Sequence, residues 1–242
     1  MTQASLERLA AAPPARTKRR FFLGFGAVIA LIVLVGFSRT FFIPLARQTF
    51  SAPWFVYVHG TLFFVWIGLL VAQAALVAAH RTRVHRRLGR TAFGLVPLMV
   101  ASGVAVAVWS SARDLRAGSG DEVVAFFFGE LMDMALFSTF AALALLLRRN
   151  TQAHKRLILL GTVAILGAAL GRIPEIRMIS PYVPVLLLLS IAWYDVRTRP
   201  KLHPATLWGG SGLLVGIFTQ PMIGAMPWWL SIGRQLLEHY HY

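Results

Sequence analysis

The stretch WFVYVHGTLFFVWIGLLVAQAALVAA, residues 54–79, runs for 26 residues without a single Asp, Glu, Lys or Arg. At 1.5 Å per residue a helix of that length reaches about 39 Å, more than the roughly 30 Å of a bilayer's hydrocarbon core. In that medium the backbone polar groups must be satisfied within the segment, so the run predicts a membrane-crossing α-helix. Six further apolar runs flank it, at 21–38, 88–110, 123–147, 157–173, 179–194 and 205–226. The sixth in chain order, 179–194, is the shortest and carries Pro181 and Pro184 near its start. The expected fold is therefore all-α, a polytopic membrane bundle of about seven transmembrane helices. It divides into a disordered basic N-terminal tail (1–20), a transmembrane domain (21–231) and a short C-terminal tail (232–242).

Composition agrees with this class. Of 242 residues, 57% are hydrophobic and only 14% charged, with 24 Lys and Arg against 9 Asp and Glu. A soluble domain of this size carries a larger charged coat. A nucleic-acid binder would align its cations along one solvated face, whereas here they fall between apolar runs, so no nucleic-acid partner is expected. The absence of cysteine removes disulfides, thiolate metal sites and cysteine nucleophiles.

The cations also assign an orientation. With seven spans, 17 of the 24 fall on the N-terminal tail and the even-numbered connections, among them Arg81, Arg83, Arg86, Arg87, Arg90, Arg148, Arg149, Lys155, Arg156, Arg197, Arg199 and Lys201; seven fall on the opposite side. Positive charge is retained in the cytoplasm, so the N-terminus is expected inside and the C-terminus outside, in the inner membrane, with the basic loops against anionic lipid headgroups. Lys18-Arg19-Arg20 before Phe21 resembles a twin-arginine signal, but no small-x-small cleavage site follows, and an uncleaved first span is expected. Gly167-x-x-x-Gly171 and Gly212-x-x-x-Gly216 offer close-approach faces, and Pro97, Pro221 and Pro227 predict kinks or helix ends.

Polar residues inside the spans mark the candidate sites. His59, Trp66, Gln73 and His80 recur every seven residues and so share one slowly drifting face of the second span. Counting from the span boundaries, His59, Glu130, Arg172 and Gln220 lie about 8–10 Å below the outer surface and Asp133 about 15 Å below it. Glu130 and Asp133, at i and i+3, point to one side of the fourth span. Charge in hydrocarbon must be paired, neutralised or hydrated. The group reads either as a structural ion-pair and hydrogen-bond network among Arg172, Glu130, Asp133 and His59, or as a proton-linked transport or small-molecule/ion site. With one His at this depth, no metal centre is expected.

On the cytoplasmic side His85-Arg-Arg-Leu-Gly opens the third span and His154-Lys-Arg-Leu the fifth, each His three residues before the first apolar Leu. A shift of 69 residues superimposes them, a weak internal repeat of spans two and three on four and five. With His59-Gly60 and Gln73, these motifs resemble a family of uncharacterised bacterial polytopic membrane proteins over about the central hundred residues. More remotely, the placement of His on spans two, three and five is similar to the transmembrane di-haem cytochromes b of the ferric-reductase type. That resemblance implies electron transfer, with His85 and His154 as ligands of one haem b. The fourth span has no His, and Glu130 stands near the depth required, so the second bis-His haem is not implied. Without a haem, His85 and His154 are interface anchors binding anionic headgroups. A non-catalytic assembly subunit remains a further reading. No catalytic residue is identified.

Overall fold

The computed structural model describes residues 15–240, with side chains from Arg20 onward. All regular structure among these residues is helical. Helix α1 (Ala15–Phe37) runs on through a π-helical turn (Ser38–Phe42) and a last α turn (Ile43–Ala46). Then come α2 (Trp54–Ala78), α3 (Thr82–Gly89), α4 (Ala92–Arg116), α5 (Asp121–Leu146), α6 (Thr151–Ala164) and the short α7 (Gly167–Leu170). Two 3₁₀ turns, Pro174–Ile176 and Ser180–Tyr182, lead into α8 (Val183–Thr198), followed by α9 (Pro204–Gly224) and α10 (Pro227–Glu238). Of the expected tail, residues 1–14 lie outside the described residues and 15–20 already belong to α1; His241 also lies outside them.

Five segments are long and apolar enough to cross a membrane: Arg20–Ala46, Trp54–Ala78, Ala92–Arg116, Asp121–Leu146 and Thr151–Leu170. A sixth is the pair α9 and α10, bent by 81° at the break between them. The protein is thus an all-helical, membrane-embedded chain with five or six apolar helices fit to span. The sixth run of the sequence becomes α8, a helix of 16 residues and about 24 Å, because Pro181 and Pro184 delay the start of regular α-helix to Val183. It nevertheless runs through the bundle. Phe21 at one end of α1 stacks on Tyr194 of α8 with ring centroids 4.4 Å apart, while Gly36 near the other end of α1 meets Ala169 of α7. Likewise α9 runs antiparallel to α5, with Gly216 against Leu136, Gln220 against Asp133 and Gly224 against Ala125. All the long helices alternate in direction. One end of the bundle gathers α3, His154 and the basic loops, and is called here the basic end.

Helix α6 is the axis of the bundle. With α7 it forms the segment Thr151–Leu170, which is two-thirds buried, against 28% or less for the other four spanning segments. Leu160, Phe137, Met99, Ile29, Ile191 and Leu213 fill the core around it. Trp66 of α2 packs edge-on against Phe137 and donates its indole N–H to the Thr162 hydroxyl at 3.1 Å. Thr162→Val keeps the shape but strands that buried donor. It is expected to lower stability by about 1–2 kcal/mol, read as a lower unfolding midpoint in detergent.

The small-residue motifs are used in part. Gly216 lies against Leu136 and Gly167 against the Asp133 carboxylate, whereas nothing approaches Gly212 and Gly171 meets only its own turn. The closest backbone approaches are elsewhere, at Gly36 against the Ala169 carbonyl and Gly224 against the Ala125 carbonyl. Pro227 opens α10 after the bend, as a helix-starting proline does, while α4 continues through Pro97. The boundary drawn at residue 232 falls inside α10, which packs on α4 and α5 through Trp229, Gly233 and Leu237.

Candidate functional site

Three groups of polar side chains lie inside the helical packing, two of which the sequence marks. The first is at the end opposite the basic loops. Glu130 and Asp133 sit one turn apart on α5, and both turn into the bundle. Glu130 accepts a hydrogen bond from the Ser111 hydroxyl of α4 at 3.3 Å. Asp133 accepts one from the Gln220 amide of α9 at 2.7 Å, with its other oxygen against the open face of Gly167. Arg172 follows α7, close enough for its charge to act on both Glu130 and His59. Its guanidinium, however, donates to the Ala168 carbonyl and lies over the Phe37 ring at 4.7 Å. Among the described residues no ion pair joins Arg172 to either carboxylate, so the ion-pair part of the structural reading does not form, and the carboxylates keep hydrogen bonds from Ser111 and Gln220 instead. The reason is geometric: the chain turns at Gly171, and the guanidinium satisfies its own helix end and an aromatic face. Arg39 pairs instead with Glu175 at 2.7 Å on the exposed surface; that pair and the Glu175 backbone N–H hold the Glu175 carboxyl below its ordinary pKa.

His59 stands in the same half of the bundle. Its ring lies 4.3 Å from that of Phe63, and its Nδ1 is buried without a hydrogen-bond partner. The seven-residue stripe on α2 thus faces inward at His59, Trp66 and Gln73. It ends at His80, where the backbone turns left-handed with φ 61° and the chain leaves the helix.

The second group is at the basic end. His154 on α6 has its Nδ1 2.8 Å from the Ala144 carbonyl of α5. A carbonyl only accepts, so Nδ1 carries a proton, and it is Nε2 that the neutral ring would present as a donor atom to a ligand. His85 on α3 lies near enough for the His154 charge to act on it. Burial holds the His85 imidazole below its ordinary pKa, and the His154 and Arg86 charges act in the same direction. The His85 Nδ1 and the Gln73 Oε1 are both buried and unpartnered, and Gly89 leaves room for the Gln73 amide, which a side chain there would meet at 3.0 Å. Gln73 therefore belongs with His85 rather than with the carboxylates. The two imidazoles fit the donor set of a bis-His site, with the tautomer of His154 already fixed by its carbonyl partner. Gln73 stands beside His85.

The third group was missed. Arg156, counted among the loop cations, is fully buried and paired with the fully buried Asp195 of α8. Its Nε donates to both Asp195 oxygens, at 3.0 and 3.2 Å, and one terminal nitrogen donates again to Oδ1. The other terminal nitrogen donates to the Gln152 carbonyl at 2.8 Å and to its side-chain oxygen at 3.0 Å. Asp195 Oδ2 further accepts from the His203 backbone N–H at 3.0 Å and from the Thr206 hydroxyl at 2.6 Å. His203 in turn caps α9, its Nδ1 accepting from the Ala205 N–H at 3.0 Å, and burial holds its pKa below the ordinary value. The arrangement joins α6, α8 and α9 and satisfies its own charges, which is the pattern of a structural clasp. The available signal was Asp195 itself, one of only nine acidic residues, at the end of an apolar run.

Among the described residues no three His, Asp or Glu side chains gather as metal ligands. Comparison with protein-family models, curated proteins and solved structures finds no match to this chain.

Proposed function

We propose that the chain is a seven-span inner-membrane protein, N-terminus in the cytoplasm, whose functional centre is a proton- or cation-linked ligand site on Glu130 and Asp133. The observation that carries this reading is that both carboxylates are turned into an apolar bundle with only neutral donors, Ser111 and Gln220, bound to them. A carboxylate so placed takes up a proton or a cation, since leaving it charged and unmatched costs about 3 kcal/mol or more. Gln220 orients Asp133, Ser111 orients Glu130, and the Arg172 charge acts on Glu130. The alternating cations support the orientation.

The test is the pH and salt dependence of unfolding of the purified protein. A folded site that holds a proton released on unfolding gains stability as pH falls, and a site that holds a cation gains stability as that cation is added. At a cation concentration 100 times its Kd the gain is about 2.7 kcal/mol. Glu130→Gln/Asp133→Asn should abolish the response while remaining folded. An unchanged response in the double variant refutes the assignment.

A second reading rests on the pair at the basic end: His154 with its Nδ1 committed to Ala144, and His85 with a buried, unpartnered Nδ1. They would hold one haem b, with Arg86 and Arg87 near to meet its propionates; bound haem would supply one-electron transfer. A Soret band in protein expressed with haem supplementation, lost in both His85→Ala and His154→Ala, supports it; no band, or a band that survives both changes, refutes it.

A further inference from the structure

Helix α10 divides its surface into three faces. At about 100° per residue, Trp229, Gly233 and Leu237 form one stripe, Trp228, Ile232 and Leu236 the next, and Ser231, Arg234 and Glu238 the third. The first is the protein face. Its residues are buried on α4 and α5, and the Trp229 indole donates to the Val124 carbonyl at 2.9 Å. The third is polar, with Arg234 bonded to Asp121 at 2.5 Å and 3.9 Å from Glu238. The second is apolar yet uncovered, with Trp228 51%, Ile232 48% and Leu236 55% exposed. Along its edge runs an open groove lined by Ile232, Gln235, Leu236, His239 and Tyr240.

A soluble surface has no use for that second stripe, but a membrane interface does, because there a helix meets protein, acyl chains and water on three sides. Two observations place α10 at that level. It leaves α9 at 81°, so with α9 crossing the membrane α10 lies near the membrane plane. The exposed Trp208 marks the other end of α9, and the 16 residues from there to Gly224 span about 24 Å. The start of α10 is thus about one hydrocarbon thickness from a tryptophan of the opposite interface, and Trp228 occupies the matching position on its own side. Helix α9 likewise leaves Val215, Phe218 and Met222 exposed.

We propose that α10 is an in-plane interfacial helix whose Trp228-Ile232-Leu236 face inserts among phospholipid acyl chains at the end of the bundle opposite the basic loops. The proposal rests on the membrane embedding and on α9 crossing by itself, as in the seven-span reading above, and is independent of what Glu130 and Asp133 bind.

The cysteine-free chain makes the test direct, since each introduced cysteine is unique. Ile232→Cys, Leu236→Cys, Ser231→Cys and Glu238→Cys are spin-labelled one at a time in the full chain, reconstituted in phosphatidylethanolamine/phosphatidylglycerol vesicles. Collision with oxygen, which concentrates in lipid, is compared with collision with a water-soluble nickel chelate. Labels at 232 and 236 should favour oxygen and labels at 231 and 238 the chelate. Equal chelate access at all four positions puts the helix in water and overturns the proposal. Shielding of 232 and 236 from both probes means that protein, a partner or a second copy, covers the face, and overturns it equally. Should one label disturb folding, the remaining positions on each face carry the same contrast.

Discussion

Arg156→Met is expected to lower the unfolding free energy by about 3–5 kcal/mol, because it leaves the buried Asp195 carboxylate facing only the Thr206 hydroxyl and the His203 N–H. Asp195→Leu should cost a similar amount, since the guanidinium then keeps only the Gln152 oxygens. The double variant should recover most of the loss, because the desolvation of two charges disappears together with their attraction. Chemical denaturation in detergent, run as a double-mutant cycle, measures this. Additive losses would mean that the two residues act separately, against the geometry. A surface pair such as Arg39 and Glu175 should show under about 1 kcal/mol in the same cycle.

Gly36→Leu is expected to destabilise the bundle by about 3 kcal/mol, at the upper end of overpacking costs. Even a single Cβ at Gly36 overlaps the Ala169 carbonyl, which is backbone and has no rotamer to yield. The contact joins α1 to α7, so the substitution must push apart the first and fifth spanning segments. The same helix provides the control. Nothing lies within 4 Å of a Cβ at Gly24, and Gly24→Ala should be neutral or stabilising by about 0.5–1 kcal/mol. Opposite signs at two glycines of one helix separate packing from intrinsic helix preference; equal effects at both would refute the close approach.

The long helices were legible because length and apolarity alone define them, and 54–79 becomes α2 almost to the residue. The neighbourhood of His85 and His154 was legible from two short motifs. The inward turn of Glu130 and Asp133 followed from their i, i+3 spacing, and Gln220 from its depth. Arg156 was not legible as a core residue. Beside an apolar run, an arginine looks the same whether it reaches for headgroups or for a carboxylate 39 residues away. Ser111 gave no signal because a helical serine ordinarily bonds its own backbone. Arg172 was legible as a neighbour of Glu130 and His59, but its pairing was decided by the turn at Gly171 and the nearby Phe37 ring. Helix α10 escaped notice because twelve residues with three alternating faces never form a continuous apolar run.

The clasp between Arg156 and Asp195 also sets an order on biogenesis. At about 5–20 residues per second, the ribosome delivers Asp195 roughly 2–8 s after Arg156. Through that interval α6, the central helix of the finished bundle, has an arginine at its basic end held only by the Gln152 oxygens and lacks its neighbours α8 and α9. It settles only when α8 brings the carboxylate and α9 brings His203 and Thr206. The last-made third of the chain is therefore what commits the middle to its place, and a polypeptide truncated before residue 195 would leave the insertion machinery holding a helix that has nothing to close on.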